Sequence, residues 1–562
     1  MSTVTSWVPL AAVLTPLVGI VAIIATRRRP DVREAATILT AVTTVLLVGS
    51  MVPTVLAGGV PTTNLGGYVP GVSFVLRADP LGMIFGLLAT FLWLVTSFYS
   101  IGYMRGLDEH SQTRYFAAFA GSIASAVGVA FAANLIVLYV FYELLTVATY
   151  PLVAHDETAE ARTAGRKYLA YTFGGGVAAL AGTALVAMTT GTVAFTPGGI
   201  AELASVDPLV GKVAFALLVG GFGVKAALMP VHSWLPDAMV APTPVSGLLH
   251  AVAVVKSGVF AVSRVVLDVY GPLQMSEWGL GLPLAVVAGA TILIASVIAL
   301  RQDNLKRRLA YSTISQLSYI ILGLALLSPS GLVGGLLHIP AHAFMKLTLF
   351  FAAGAIHVET HVDDISDMVG IGRRMPVTMA AFGIASVGMA GLPLVAGFVS
   401  KWYLLIGSLT AGQTVFVLVL LASGLLNIAY FWPIVYQAFF QTPADVDAKP
   451  VIENPFGGRP TRADGGQAEG EYAVDRNPSD VDWEATEEQS AEDAEPASEH
   501  HHGPPAGGWE WHPFGTESTW FMLGPILLTA TGAIVLGIDP QGAIFLELIF
   551  DVVEAASGVT LG

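Results

Sequence analysis

An all-α membrane protein of about fourteen transmembrane helices is expected from three features of this chain. Of 562 residues, 54% are apolar and only 12% charged, too little charge to keep a soluble chain of this size in solution. The apolar residues gather in runs that reach the roughly 20 residues needed to cross a bilayer as a helix. The formal charge of −15 is local: residues 441–517 hold 18 acids and 4 bases, which leaves 23 acids and 22 bases for everything else. A nearly neutral membrane part and one acidic segment therefore need separate readings. With no cysteine there is no disulfide, no Cys-ligated zinc and no iron–sulfur cluster on this chain. Any redox chemistry belongs to a partner, and no cofactor is expected.

In chain order the span cores are 7–26, 35–56, 81–103, 115–132, 133–153, 168–190, 209–229, 244–266, 280–300, 309–328, 331–356, 377–399, one span within 402–440, and 518–538. No basic region precedes the first span and Arg27, Arg28, Arg29 and Arg33 follow it, which opposes a cleavable signal peptide and puts the amino terminus outside. The alternate loops then counted as inside carry Arg105 and Arg114; Arg162, Arg166 and Lys167; Arg301, Lys306, Arg307 and Arg308; and Arg373 and Arg374, fifteen bases with the first four. Segments counted as outside hold only Arg77, Lys212 and Arg264. An even number of spans puts the carboxyl terminus outside as well, in a multi-pass protein of the cell membrane.

The acidic segment, 441–517, falls on the inner side. Rich in Pro, Gly, Asp, Glu and Ser, it has too few apolar residues to offset the entropy of ordering, so it is expected to be disordered. His500, His501 and His502 can ligate a metal, but a solvated polar tract is the preferred reading.

Charge inside a bilayer costs about 2.5–3.5 kcal/mol per residue on insertion scales, which makes each intramembrane ionisable group a functional candidate. Glu143 lies in span five, Lys225 in span seven, His250 and Lys256 in span eight, His338, His342 and Lys346 in span eleven, and Lys401 at the junction of spans twelve and thirteen. A packed ion pair or a snorkelling lysine would explain any one of them, Lys401 most readily because it sits near a span end. Neither explains the set, because one glutamate cannot neutralise four lysines. Burial disfavours the charged form of lysine, which fits it to take up and release a proton. His338, His342 and Lys346 follow i, i+4, i+8 spacing and form one helical stripe about 12 Å long, the pattern of a proton wire. His-X3-His on a helix can bind zinc, but no acid completes the set and a lysine one turn away repels the ion, so no metal is assigned. Pro340 within the stripe is expected to kink the helix and admit water.

Two spans are interrupted by glycine and proline just before a lysine. Gly220, Gly221 and Gly223 precede Lys225, and Gly388, Gly391, Pro393 and Gly397 precede Lys401. If spans 4–8 and 9–13 are two five-helix repeats, spans seven and twelve correspond, and an odd helix number forces the repeats into opposite orientations. Paired broken helices in inverted halves are the pattern of an ion path, although glycines also permit plain close packing. There is no Walker loop, no His-Glu-X-X-His and no Gly-X-Ser-X-Gly, which leaves nucleotide hydrolysis, zinc proteolysis and serine hydrolysis without support.

At the level of motifs the chain resembles the antiporter-like subunits shared by Mrp-type cation/proton antiporters, respiratory complex I and membrane-bound hydrogenases. The resemblance lies in Phe141–His155, His232–Phe260, Arg301–Tyr319, His338–Phe351 and Gly397–Tyr403, above all in Trp-Leu-Pro-Asp-Ala at 234–238 and Pro-Thr-Pro-Val-Ser at 242–246. It implies fourteen helices with two inverted five-helix repeats, broken helices in spans 7 and 12, and a division into 1–109, 110–268, 269–440, an acidic insertion 441–517, and 518–562. It also implies roles: Glu143 and Lys225 as the coupled pair of a first half-channel, His250 and Lys256 as the link, His338, His342 and Lys346 as the central relay, and Lys401 as the lysine of the second broken helix. Asp237 and Asp303 fall in the motifs too, at inner loops where structural hydrogen bonds are the expected use. Thr149–His155 and Ile371–Met379 are most similar to the D subunit of Mrp antiporters. The long lateral helix of the largest complex I member has no room in the 24 residues after span fourteen. The implied partners are other membrane subunits, protons and Na+, with no nucleic acid; the alternative is a role in a redox-driven proton pump.

Overall fold

The computed structural model describes residues 2–69, 71–442, 509–542 and 544–561. A short strand, β1 (Ser2–Thr5), leads into α1 (Val8–Ala25) and α2 (Pro30–Gly49), and α3 (Val52–Leu56) leads to β2 (Gly59–Val69) and β3 (Val72–Arg77). β1 pairs parallel to β2, and β2 antiparallel to β3, in a three-stranded sheet at one end of the first helices. The all-α expectation lacked this sheet. Its short strands leave no trace beside runs read on the scale of a bilayer.

Five helices follow: α4 (Pro80–Gly106), α5 (Gln112–Phe131), α6 (Leu135–Val153), α7 (Ala159–Thr190) and α8 (Pro208–Lys225). Side-chain caps set several of their starts. Asp79 accepts from Gly82 N at 2.8 Å, Asn134 from Val137 N at 2.9 Å and Thr158 from Ala161 N at 3.1 Å, each satisfying a backbone donor that the helix leaves free. After α9 (Trp234–Asp237), the stretch Thr243–Glu277 runs through α10 (Thr243–Gly247), α11 (Val254–Arg264) and α12 (Gly271–Glu277), with π-helical turns at Leu248–Val252 and Val265–Tyr270 and breaks at Ala253 and Gly271. The remaining helices are α13 (Gly281–Leu300), α14 (Leu305–Ala325), α15 (Pro329–Thr360), α16 (Pro376–Ala390), α17 (Ala396–Thr410), α18 (Val415–Phe440), α19 (Trp520–Ile538) and α20 (Phe545–Ser557).

Among the described residues twelve helices are long and apolar enough to cross a membrane. The other two expected spans coincide with α14, whose Lys306, Arg307, Arg308, Gln316 and serines dilute its apolar content, and with the short α16 followed by α17. The stretch 402–440 divides between α17 and α18. Pro340 does not interrupt α15, which is helical from Pro329 to Thr360.

Peripheral helices turn Val18, Val21, Leu39, Met188, Leu418 and Leu425 outward, whereas residues 243–272 and residues 331–356 of α15 are buried at the centre. This is the arrangement of a helix bundle in lipid, with apolar side chains facing hydrocarbon and polar ones held inside. The alternate loops that hold the fifteen bases also supply their partners: Arg105 meets Asp31 and Glu34, Arg114 meets Glu157, and Arg374 meets Glu359.

One expectation fails in part. Residues 443–508 of the acidic segment lie outside the described residues, but its end is docked. Trp509 donates Nε1 to Val369 O at 2.9 Å, and Glu517, 1% exposed, accepts from Val377 N and Thr378 N at 2.9 and 2.6 Å. A carboxylate on free backbone donors at the start of α16 is stabilised by the helix dipole, which a compositional reading of the segment overlooks. The tail also carries a helix, α20, packed on α4 and α15.

Candidate functional site

Lys225, His250, Lys256 and Lys401 all stand where a helix is broken or distorted. α8 stops at Lys225 and Ala227 takes a positive φ of 53°, so the lysine stands at a helix end inside the bundle. α16 stops at Ala390, Gly391 turns the chain with φ 90°, and α17 restarts at Ala396 with Lys401 in its second turn. A Cβ on Gly391 would lie 2.6 Å from Lys401 Cδ, so glycine is needed both for the turn and for the lysine's stem. His250 lies in the first π-helical turn, and Lys256 follows Ala253, whose φ of −122° and ψ of −64° are not helical. Breaks of this kind leave carbonyls free to meet a buried ammonium.

Lys401 donates Nζ to Met389 O at 2.5 Å, beside the break, and lies 4.9 Å from the Tyr319 ring centroid. At 7% exposure it does not snorkel, contrary to the simplest expectation for a lysine near a span end. Tyr319 stacks on His338 with centroids 5.4 Å apart, and His338 is held by Ser400 Oγ at 2.8 Å and Gln316 Oε1 at 2.9 Å. His342 Nδ1 meets Lys256 Nζ at 2.8 Å, while its Nε2 has no hydrogen-bond partner. Lys346 donates to Leu309 O at 3.2 Å and to Ser312 Oγ. The stripe on α15 is therefore real as geometry but is not hydrogen-bonded along itself. Its members turn to different neighbours, and the His338 and His342 rings approach only to 6.1 Å between centroids.

The other group is smaller. Lys225 donates Nζ to Tyr142 O and lies over the Tyr142 ring, 3.5 Å from its centroid. Glu143, the next residue on α6, keeps both carboxylate oxygens buried without a hydrogen-bond partner and interacts electrostatically with Lys225. Its oxygen occupies the place of a missing side chain: a Cβ on Gly176 of α7 would stand 2.2 Å from Glu143 Oε1. His250, fully buried with neither ring nitrogen hydrogen-bonded, packs 4.8 Å from the Phe350 centroid. Gly258 of α11 lies so close to α8 that a Cβ there would come within 2.9 Å of Lys225 Cβ, which brings the two groups together through backbone rather than through a polar contact.

Sequence reasoning restricted to ionisable groups missed the neutral partners. Gln316 Nε2 donates to Asn427 Oδ1 at 3.3 Å, Tyr430 OH donates to the same oxygen at 2.5 Å, and Ser296, Ser315 and Ser423 form a hydroxyl cluster between the neighbouring helices. Asn427, an amide in the apolar run of α18, was the available signal. Asp237 and Asp303 do what was expected of them, accepting from Lys167 Nζ at 2.5 Å and from Ser366 Oγ at 2.9 Å.

Two further charge clusters lie away from these lysines. Arg264, 1% exposed, forms a bidentate pair with Asp79 at 2.9 and 2.6 Å and a third bond to Asp268 at 2.7 Å, with Arg77 3.2 Å from Asp79. At the basic end, burial first and then His110 and Arg114 pull the His155 imidazole down to about 4, while burial pushes the carboxyls of Glu109 and Asp156 up.

A bundle of lipid-facing helices whose centre holds lysines and histidines on and beside broken helices defines a class, the antiporter-like membrane subunits. Residues 132–426 match the NADH:quinone oxidoreductase/Mrp antiporter transmembrane family, and residues 69–116 match the N-terminus of chain 5 of NADH-ubiquinone oxidoreductase (complex I). The chain belongs to the NADH:quinone oxidoreductase/Mrp antiporter family. It is 36% identical to NADH-quinone oxidoreductase subunit N of Desulforudis audaxviator, over 67% of this chain and 74% of that one. It is 35% identical to the A/B component of a probable K(+)/H(+) antiporter of Rhizobium meliloti over 72% of this chain, which spans 41% of that longer protein. Two solved complexes share the fold at 23% identity, each over 98% of this chain. A chain of the archaeal membrane-bound sulfane sulfur reductase, 98% covered, gives a TM-score of 0.77, and a chain of the Mrp complex of Dietzia sp., 97% covered, gives 0.75.

Proposed function

We propose that this chain is the ion-translocating subunit of a multisubunit monovalent cation/proton antiporter, of the Mrp D type, that exchanges Na+ for protons. Protons move through Glu143, Lys225, His250, Lys256, His338, His342, Lys346 and Lys401, in two inverted halves within 110–268 and 269–440. The observation that carries this reading is the set of four buried lysines, whose hydrogen-bond partners are carbonyls, a hydroxyl and an imidazole rather than carboxylates. Ionisable groups this close feel one another's charge, so a proton gained at one changes the proton affinity of the next. A redox-driven role in a quinone oxidoreductase is the second reading, favoured by the 36% identity to a subunit N. Everted vesicles carrying the native complex separate the two. Proton release from the lumen on adding Na+ alone supports exchange; proton movement that needs a reductant and quinone, with no response to Na+, overturns it.

In the cell membrane, the end of the bundle that gathers fifteen bases faces the cytoplasm, with both termini outside and the acidic insertion inside. Because the chain has no cysteine, single introduced cysteines report sidedness directly. With a membrane-impermeant maleimide on intact cells, Thr3→Cys is labelled and Glu160→Cys only after lysis; the reverse pattern overturns the orientation.

A further inference from the structure

At the basic end of the bundle the turn after α4 meets the end of α6, and three side chains converge there that the ion path does not use. Glu109 Oε2 lies 3.7 Å from His110 Nδ1 and 3.8 Å from His155 Nε2, and the three ligand atoms all fall within 4.8 Å of one another. His155 is wholly buried, and neither of its ring nitrogens has a hydrogen-bond partner. Leaving a buried polar group unpaired costs about 1–3 kcal/mol, so a fully enclosed imidazole turned toward a carboxylate and a second imidazole points to something that completes it.

We infer that Glu109, His110 and His155 form a binding site for a divalent cation of the zinc class. Two imidazoles and one carboxylate, with a fourth position open, are a donor set that zinc takes up, at bonds of about 2.0–2.2 Å that place ligand atoms about 3.4 Å apart. The Glu109 distances need to shorten by only a few tenths of an ångström. The remaining closure falls to His110, whose side chain is half exposed and can pivot about its Nε2 contact. His110 Nε2 meets the His155 carbonyl at 3.1 Å, which places the ring proton there and leaves the Nδ1 lone pair toward Glu109. A ligating histidine that donates its second N–H to a carbonyl is the usual outer arrangement of a metal site. Arg114 donates to the same carbonyl at 2.8 Å and is itself paired with Glu157, so its charge is offset beside the site. Lys306 and His357 also act electrostatically on Asp156 and Glu109, and His357 is turned to Asp363 at 3.0 Å. A bound cation would tie the α4–α5 turn to the end of α6, the helix that carries Glu143 about 18 Å further in. The site does not depend on the proposed transport activity.

The test uses the purified full-length chain in its complex, without a polyhistidine tag and with His500, His501 and His502 replaced by alanine, because those residues are a competing metal ligand run. Titration with Zn2+ alone should show one ion bound per chain, and Co2+ in its place should give the absorption bands of a four-coordinate site with nitrogen and oxygen donors. His155→Gln and Glu109→Gln should weaken Zn2+ binding at least about tenfold. His110→Gln, a change at the half-exposed member, should do the same and keeps the test open if the buried variant does not fold. Absence of a bound ion in the parent protein, or unchanged Zn2+ binding in His110→Gln and Glu109→Gln, overturns the inference.

Discussion

Glu143→Ala and Lys225→Ala are each expected to reduce cation-driven proton flux to about one hundredth of the parent value, the scale on which loss of a positioned proton-transfer group acts. Assembly should survive. Glu143 makes no hydrogen bond that its loss would break, and Lys225 spends one on a carbonyl of α6. The member of the pair left behind can become neutral by gaining or losing a proton rather than stay buried as a lone charge, which a guanidinium such as that of Arg264 cannot do, so the fold should tolerate either change. Gly176→Ala offers an independent check on the same carboxylate: the added methyl claims the position of Glu143 Oε1 without replacing either charged residue, and flux should fall with the chain still folded. Vesicles with full flux in Glu143→Ala or Lys225→Ala, at matched complex content, would exclude the pair from the path.

Arg264→Ala is expected to act in the opposite way, on the fold first. It strips the cation that bonds both Asp79 and Asp268, and breaking a buried pair from one side costs about 3–5 kcal/mol because the remaining charges have no water to turn to. Asp79 keeps Arg77 at 3.2 Å and its cap on α4, so the carboxylate left stranded is that of Asp268. Thermal unfolding of the detergent-solubilised protein should drop sharply in Arg264→Ala. It should recover in part when Asp268→Asn is added, since the second change removes the stranded charge. Equal melting of Arg264→Ala and the parent would show the cluster to be energetically idle.

These two clusters show where a reading of the sequence reaches its limit. Glu143, Lys225, Lys256, His338, His342 and Lys346 stand out because each is an ionisable residue inside an apolar run, a local contrast visible without a fold. Arg264 was counted with an outer segment, and Asp268 fell just beyond the span assigned to 244–266. Nothing local to either says that Asp79, more than 180 residues earlier, meets the same guanidinium. The partners of the relay were hidden for the same reason. Gln316, Ser400, Asn427 and Ser312 acquire meaning only once α14, α17 and α18 are packed around α15. The cluster of Glu109, His110 and His155 likewise joins two loops that are separate in sequence.

Short stretches of the chain are enough to show that this protein lives in a membrane, roughly how many times it crosses, and which residues place a charge within an apolar run. Those properties follow from hydrocarbon thickness and the cost of a charge within it, both of which act on a few consecutive residues. What each buried ionisable group touches emerges with the packed fold: a carbonyl freed by a broken helix for Lys401, an imidazole for Lys256, a hydroxyl for Lys346, and for Glu143 no hydrogen-bond partner at all. Partners of that kind are fixed by how helices pack, and packing brings together residues that no local pattern connects.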